Sequence, residues 1–169
     1  QIFVLKHSIF LKSLLINLTN KNNIFVTESS SLYTQRRGGT GNKFKFKNGE
    51  YVLSTIQAES VDTILFFSQA GNFYWSTAGS LPLEEKVAVE SLFTMKDNEV
   101  ICEMTSFNKK NAKENIIFIT KNGIIKKSLL EEYNLKRGMG SKALALEEGD
   151  EINSIIFTNE EKIGIVSEC

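Results

Sequence analysis

Six turn residues recur in phase along this chain, and that recurrence limits its fold more than any other feature. Three segments share one pattern, an apolar run, a polar turn and a second apolar run: Ile16–Phe25 (INLTNKNNIF), Leu65–Tyr74 (LFFSQAGNFY) and Ile117–Lys126 (IFITKNGIIK). Their turn residues, Asn22, Gly71 and Gly123, are spaced by 49 and 52 positions. Glycine takes a positive φ freely, and asparagine tolerates it best among the rest, so each segment is predicted to be a β-hairpin. A second pattern follows each of these: Phe44–Val52 (FKFKNGEYV), Phe93–Ile101 (FTMKDNEVI) and Leu144–Ile152 (LALEEGDEI). Its turn residues are Gly49, Asn98 and Gly149, with an apolar residue three and five places before each and three places after. Alternation of this kind puts one face of a strand into a core, so a second hairpin is expected in each unit.

The unit is therefore about 50 residues of four short strands. Four-stranded units repeated along a chain are blades of a propeller-like array, and the fold class expected is all-β. We divide the chain into an unassigned segment 1–15, a first blade at 16–60, a second at 61–112 and a third at 113–160. Residues 161–169 copy the opening strand of a fourth blade, Lys162-Ile-Gly-Ile-Val-Ser-Glu-Cys169, and the chain ends where the next turn glycine would stand. It also opens on Gln1 rather than Met, so an excised part of a longer protein is expected. The competing fold is an irregular β-sandwich with coincidental spacing.

Between the two patterns of the first unit lies Gln35-Arg36-Arg37-Gly38-Gly39-Thr40-Gly41. Three glycines in four positions let the backbone approach a partner closely, and two arginines offer forked donors suited to phosphate oxygens. The third unit has a shorter version, Lys136-Arg137-Gly138-Met139-Gly140, whereas the second runs through Leu81-Pro82-Leu83. A tight turn carrying solvated cations would read the same way. It is not a phosphate-binding P-loop, since no Lys-Ser/Thr pair and no helix follow it.

This heptad resembles the box found in the C-terminal domain of the bacterial DNA gyrase A protein, Gln-Arg-Arg-Gly-Gly-basic-Gly, at six of seven positions. The hairpin from Asp62 to Tyr74 is similar to blade openings of the same domain, and the resemblance runs from about Ile16 to Cys169. It implies a β-pinwheel, an array of four-stranded blades with duplex DNA wrapped on a basic rim, in the type IIA topoisomerase family. It further implies that the box, Gln35, Arg36, Arg37, Gly38, Gly39 and Gly41, is required for wrapping, which supports negative supercoiling. The parent would be an ATP-dependent type II topoisomerase acting with its own N-terminal region and a gyrase B protein. Thr40 departs from the pattern by removing one cation, and family members have five or six blades. An intact box favours gyrase over the related topoisomerase IV.

The charge is segregated. Lys and Arg total 20 and Asp and Glu total 20, yet residues 1–58 carry net +6, 59–105 net −6, 106–142 net +6 and 143–169 net −6. Zero net charge therefore does not argue against a polyanionic partner. The first positive block holds the box with Lys43, Lys45 and Lys47; the second holds Lys109, Lys110, Lys113, Lys121, Lys126, Lys127, Lys136 and Arg137. Lysines with few interleaved aromatics suit phosphate contact rather than base reading. The alternative from a different class is a propeller-like protein-interaction module that grips a basic partner with its acidic blocks; a propeller hydrolase is weaker still.

Catalysis is not expected of this segment. His7 is the only histidine, Tyr33, Tyr51, Tyr74 and Tyr133 fall at or beside repeat positions with no neighbouring arginine, and all four read as packing or rim residues. The pairs Glu84-Glu85, Glu147-Glu148 and Glu160-Glu161 read as solvated turn residues. Cys102 reads as a small buried residue, Cys102 and Cys169 make no disulfide framework, and no metal or cofactor is expected. Residues 2–18 are interrupted by Lys6, His7 and Lys12, too polar to span a bilayer. A cytoplasmic, monomeric module is expected.

Overall fold

The computed structural model describes residues 11–41, 46–134 and 140–160. Among them are eleven strands: β1 Ser13–Thr19, β2 Asn23–Glu28, β3 Val52–Glu59, β4 Thr63–Ser68, β5 Asn72–Thr77, β6 Lys86–Ala88, β7 Ile101–Phe107, β8 Asn115–Thr120, β9 Ile125–Leu129, β10 Ser141–Lys142 and β11 Ile152–Thr158. They form three antiparallel sheets of order β3-β1-β2-β6, β10-β5-β4-β7 and β11-β8-β9. The fold is the all-β array of blades expected from the repeat. No helix among the described residues is long and apolar enough to cross a membrane.

All six turn residues adopt the left-handed conformation predicted for them. The hairpin turns place Asn22, Gly71 and Gly123 at φ 54°, 78° and 84°, and the second turns place Gly49, Asn98 and Gly149 at 76°, 62° and 80°. Each hairpin closes in the same way: Asn22 N donates to Thr19 O at 3.1 Å, Gly71 N to Ser68 O at 3.0 Å and Gly123 N to Thr120 O at 3.1 Å.

The second pattern differs from the expected hairpin. The leg before its turn forms no strand where described, and its apolar residues drop onto a core instead of joining a ladder. Phe93 stacks on Tyr74 at 5.4 Å and lies 5.2 Å from Phe66. The fourth strand of a sheet comes from the following repeat. β6 pairs with β2 through Phe25↔Lys86, Ile24↔Val87 and Asn23↔Ala88, and β10 pairs with β5 through Phe73↔Ser141 and Asn72↔Lys142. Strands of three and two residues carry too little alternation to announce themselves. The consequence is mechanical: adjacent repeats are laced by backbone ladders as well as by packing.

Two cores lie between the sheets. Ile16, Leu18, Ile24 and Val26 of the first sheet meet Ile64, Phe66 and Met104 of the second. On the other side, Leu65, Phe67 and Phe73 meet Ile116, Phe118, Leu130 and Tyr133. β4 is thus buried on both faces, which is why its sequence is an unbroken apolar run, Ile64-Leu-Phe-Phe67. Phe67 is the hub of the second core, with ring centroids 5.6 Å from both Phe118 and Tyr133 in edge-on geometry. Cys102 packs half-buried against the same core, its thiol pushed up to about 12 by burial and then by the charge of Glu103. Tyr74 and Tyr133 are core residues, whereas Tyr33 and Tyr51 are exposed.

Candidate nucleic-acid interface

The box grows from the end of the first hairpin. β2 stops at Glu28, a 3-10 turn spans Ser29–Ser31, and residues 31–41 are exposed throughout. Within that exposed stretch the chain closes on itself. Gly41 N donates to the side-chain Oε1 of Gln35 at 3.0 Å, and Gly39 N donates to Arg36 O at 2.9 Å. Each glycine has its own reason. Gly38 and Gly41 sit at φ 87° and 68°, and a Cβ on Gly39 would stand 2.6 Å from Gln35 Oε1 and 3.1 Å from Arg36 O. A side chain is strained at the first two and collides at the third. Gln35 is therefore the strut of the loop.

Arg36 and Arg37 project from this loop into solvent. The ion pairs among the described residues are Lys12–Glu28, Lys86–Glu50 and Lys121–Glu151, so neither arginine is neutralised by a carboxylate. Two forked cations on a self-closed loop can grip an anion without first breaking an internal pair.

The remaining sequence-derived cations divide by location. Lys109 and Lys110 are exposed in the loop after β7, which is shaped by Asn108: Lys110 N donates to Asn108 Oδ1 at 2.9 Å, and Asn108 N to Asn111 Oδ1 at 2.9 Å. With Ser13, Glu59 and Asn134 they line a groove of ≈ 740 Å³ at the end of the strands from which the box departs. Lys47 and Lys121 lie at the opposite end, beside the turns at Gly49 and Gly123, and Lys121 Nζ faces Glu151 at 3.1 Å. Lys127 is exposed on β9. Lys126 instead turns inward, donating to Ala143 O at 2.8 Å and lying 6.0 Å over the Tyr133 ring. Lys43, Lys45, Lys136 and Arg137 lie outside the described residues.

Sequence reasoning missed a set of buried carboxylates. Directly after each second turn stands an acid, Glu50, Glu99 or Asp150, and all three are buried. Glu50 accepts from Lys86 Nζ at 2.7 Å, Asn23 Nδ2 at 2.8 Å and Thr19 Oγ1 at 3.0 Å, which holds its carboxyl far below the usual range, at about 2. Burial alone would raise Glu99, but the Ser68 hydroxyl, the Asn72 amide at 2.9 Å and the Tyr74 hydroxyl at 2.8 Å together hold it down. Asp150 is likewise held down against burial by the Thr120 hydroxyl and the N–H groups of Asn122 and Glu151. Each acid clasps the second turn to the hairpin turn of its own repeat. The signal was an acid at the same offset in all three units. Glu84 is exposed, as expected of a solvated turn residue, and its carboxylate also accepts from Thr27.

Comparison with known proteins gives the architecture a lineage. The family model described as DNA gyrase C-terminal domain, beta-propeller, matches residues 15–58, 62–83 and 114–159, which takes in hairpins of all three repeats. The DNA gyrase A protein of Streptococcus pyogenes serotype M1 is 30% identical over 154 residues, 88% of this chain and 19% of that protein. Its counterpart from Campylobacter fetus is 26% identical over 155 residues, 89% of this chain and 18% of that protein. The chain thus spans about a fifth of the length of the curated relatives it matches. Among solved structures, a DNA topoisomerase IV C-terminal domain superposes with TM-score 0.75 at 18% identity, over 89% of this chain and 47% of that one. A DNA gyrase A C-terminal domain superposes with TM-score 0.66 at 17% identity, over 87% and 48%. These two likenesses speak to fold. On the family match, spread across its three repeats, the chain belongs to the DNA gyrase C-terminal domain, beta-propeller, family.

Proposed function

We propose that this chain is a DNA-binding module that wraps or bends duplex DNA through phosphate contacts, within a gyrase-type type II topoisomerase. The observation that carries the reading is the box, an exposed and self-closed loop presenting Arg36 and Arg37 with no carboxylate partner among the described residues. Family membership supports it, and so does the charge segregation of the sequence. Lys47, Lys109, Lys110 and Lys127 extend the cationic surface, with Lys43, Lys45, Lys136 and Arg137 added on sequence grounds. Lys121 contributes once it leaves Glu151, and Lys126 contributes least because of its internal bond.

The mechanism is electrostatic and elastic. Cations neutralise phosphates and release counterions, and a curved array of contacts offsets the energy of bending. The module carries out no bond-making step of its own. Its parent cleaves and rejoins DNA elsewhere, works with a gyrase B protein in the cytoplasm and uses the wrap to set the sign of supercoiling.

The test is to incubate the chain with relaxed plasmid and a nicking-closing enzyme. A wrapper shifts the topoisomer distribution, and a protein-interaction module leaves it unchanged. Affinity should fall with salt on a log–log slope near −4 to −5 if about five phosphates are engaged. Arg36→Ala/Arg37→Ala should abolish the shift while the thermal transition stays in place, since neither side chain packs against a core. A salt-independent affinity overturns the reading.

A further inference from the structure

The three connections that follow the hairpins occupy the same place in the fold, each after a 3-10 turn: Ser29–Ser31, Ala78–Ser80 and Leu130–Tyr133. The first presents Arg36 and Arg37, and the third continues in sequence to Lys136 and Arg137. The second presents Glu84 and Glu85, both exposed. One connection in three has the opposite charge at the position where its neighbours are cationic.

That acidic connection is fastened to the root of the box. Leu83 bridges to Val26 of β2, Glu84 N donates to Val26 O at 2.8 Å, and Glu84 is held at φ 57°. The Thr27 hydroxyl donates to Glu84 Oε1 at 2.5 Å and lies 3.0 Å from the Ser31 hydroxyl. One threonine therefore ties the acid of the second repeat to a residue four positions before Gln35. Five residues of chain reach at most about 17 Å, so Arg36 stays within that span of Ser31. Glu85, next to the fastened Glu84, is exposed to solvent.

We propose that Glu84 and Glu85 are an affinity-limiting element for the polyanion that the box binds, repelling phosphates so that a duplex gripped at Arg36 and Arg37 is held off the connection that follows the second hairpin. The inference rests on the DNA-binding reading above and assigns those residues the opposite role to Arg36 and Arg37. Duplex DNA leaving the box meets two negative charges, one anchored and one free, before it reaches the cations of the third repeat. Contact is therefore discontinuous along the array, and the grip is weaker and more reversible than a uniformly basic rim would give. Glu84 places the repulsion by being anchored, and Glu85, which needs no anchor, supplies the free charge.

The experiment measures equilibrium binding of a short duplex DNA to the intact chain across a salt series, for wild type, Glu85→Gln, Glu85→Lys and Arg36→Ala/Arg37→Ala. Glu85 is exposed and outside both cores, so its variants keep the fold, and a thermal melt checks this. Glu85→Gln should tighten binding at low salt, with the difference closing as screening shortens the reach of the charge. Glu85→Lys should tighten it by roughly threefold or more at about 50 mM salt and steepen the log–log slope by about 0.9, one added phosphate contact. If both Glu85 variants bind as wild type while the arginine variant binds less tightly, the repulsive role is overturned and the DNA reading stands. If the arginine variant binds as wild type, or nothing binds, the DNA reading itself falls and takes the inference with it.

Discussion

Lys86 Nζ lies 2.7 Å from Glu50 Oε2, and the pair joins two repeats: Glu50 follows the second turn of the first unit, and Lys86 opens the strand that the next unit adds to the same sheet. The same ammonium lies 6.0 Å over the Phe46 ring. One side chain thus pins the added strand, the second turn and the leg that leads back toward the box. In the second sheet the equivalent carboxylate, Glu99, is served by Tyr74 of its own repeat, so the first sheet alone of these two uses an ion pair between repeats.

Acid should therefore loosen the array through its carboxylates. Glu50 is held at about 2 against an ordinary 4.5, so the unfolded chain binds the proton more readily than the folded one between those values. Its stabilising contribution is complete above about 4.5 and is lost as pH falls toward about 2. Glu99 and Asp150 are lowered too and act in the same direction. Glu50→Gln should lower the melting temperature at neutral pH, and the gap to wild type should narrow as pH falls from about 5 to about 3. A gap that is constant across this range would mean that the ion pair does not contribute.

The two turn asparagines should respond oppositely to glycine. Both sit in the left-handed region, which glycine occupies with less strain. Asn98 is exposed and its side chain has no hydrogen-bond partner among the described residues, so Asn98→Gly should be neutral or slightly stabilising. Asn22 is buried, accepts from Ile101 N at 3.0 Å and donates to Glu90 at 2.6 Å. Asn22→Gly leaves the buried Ile101 N–H without its partner and should cost about 1–3 kcal/mol. Urea denaturation of both variants separates the two effects, and equal responses would show that φ alone decides at these turns.

Phe67 should be the costliest single truncation in the second core. It meets Phe73, Phe118, Tyr133 and Phe157, with centroids between 5.3 and 6.3 Å across this cluster. Phe67→Ala should lose about 3–5 kcal/mol, and Phe67→Leu markedly less because it refills part of the cavity. Denaturant midpoints of the two give the comparison; a similar cost for both would mean that the cavity is not what matters.

The contrast between turns and strands explains how much was legible. Asn22, Gly71, Gly123, Gly49, Asn98 and Gly149 advertise themselves because a positive φ admits few residue types, so the repeat and the hairpins are written locally. The partner of β2 is not local: Lys86–Ala88 is three residues long, and its pairing depends on where the preceding sheet leaves an edge open. The clasp shows in the sequence as an acid at the same offset in three units, but its burial does not, since burial of a carboxylate depends on donors such as Lys86 and Tyr74 that arrive from elsewhere. For the box, composition announced the arginines, while the work of Gln35 became evident only from its bond to Gly41 N.

That bond supplies the last prediction. Gln35 carries no charge and packs in no core, yet it closes the loop that displays Arg36 and Arg37. Without it the loop keeps its cations and gains conformational freedom that DNA binding must remove. Ordering a freed side chain and its loop costs about 0.5–1.5 kcal/mol, or a loss of affinity of roughly two- to tenfold. The number of phosphates neutralised is unchanged, so the salt slope should stay that of wild type. Gln35→Ala should therefore bind duplex DNA less tightly at every salt concentration by the same factor, whereas Arg36→Ala/Arg37→Ala should flatten the slope. Parallel salt plots for Gln35→Ala and wild type, offset from each other, identify preorganisation; coincident plots would show that the arginines need no strut.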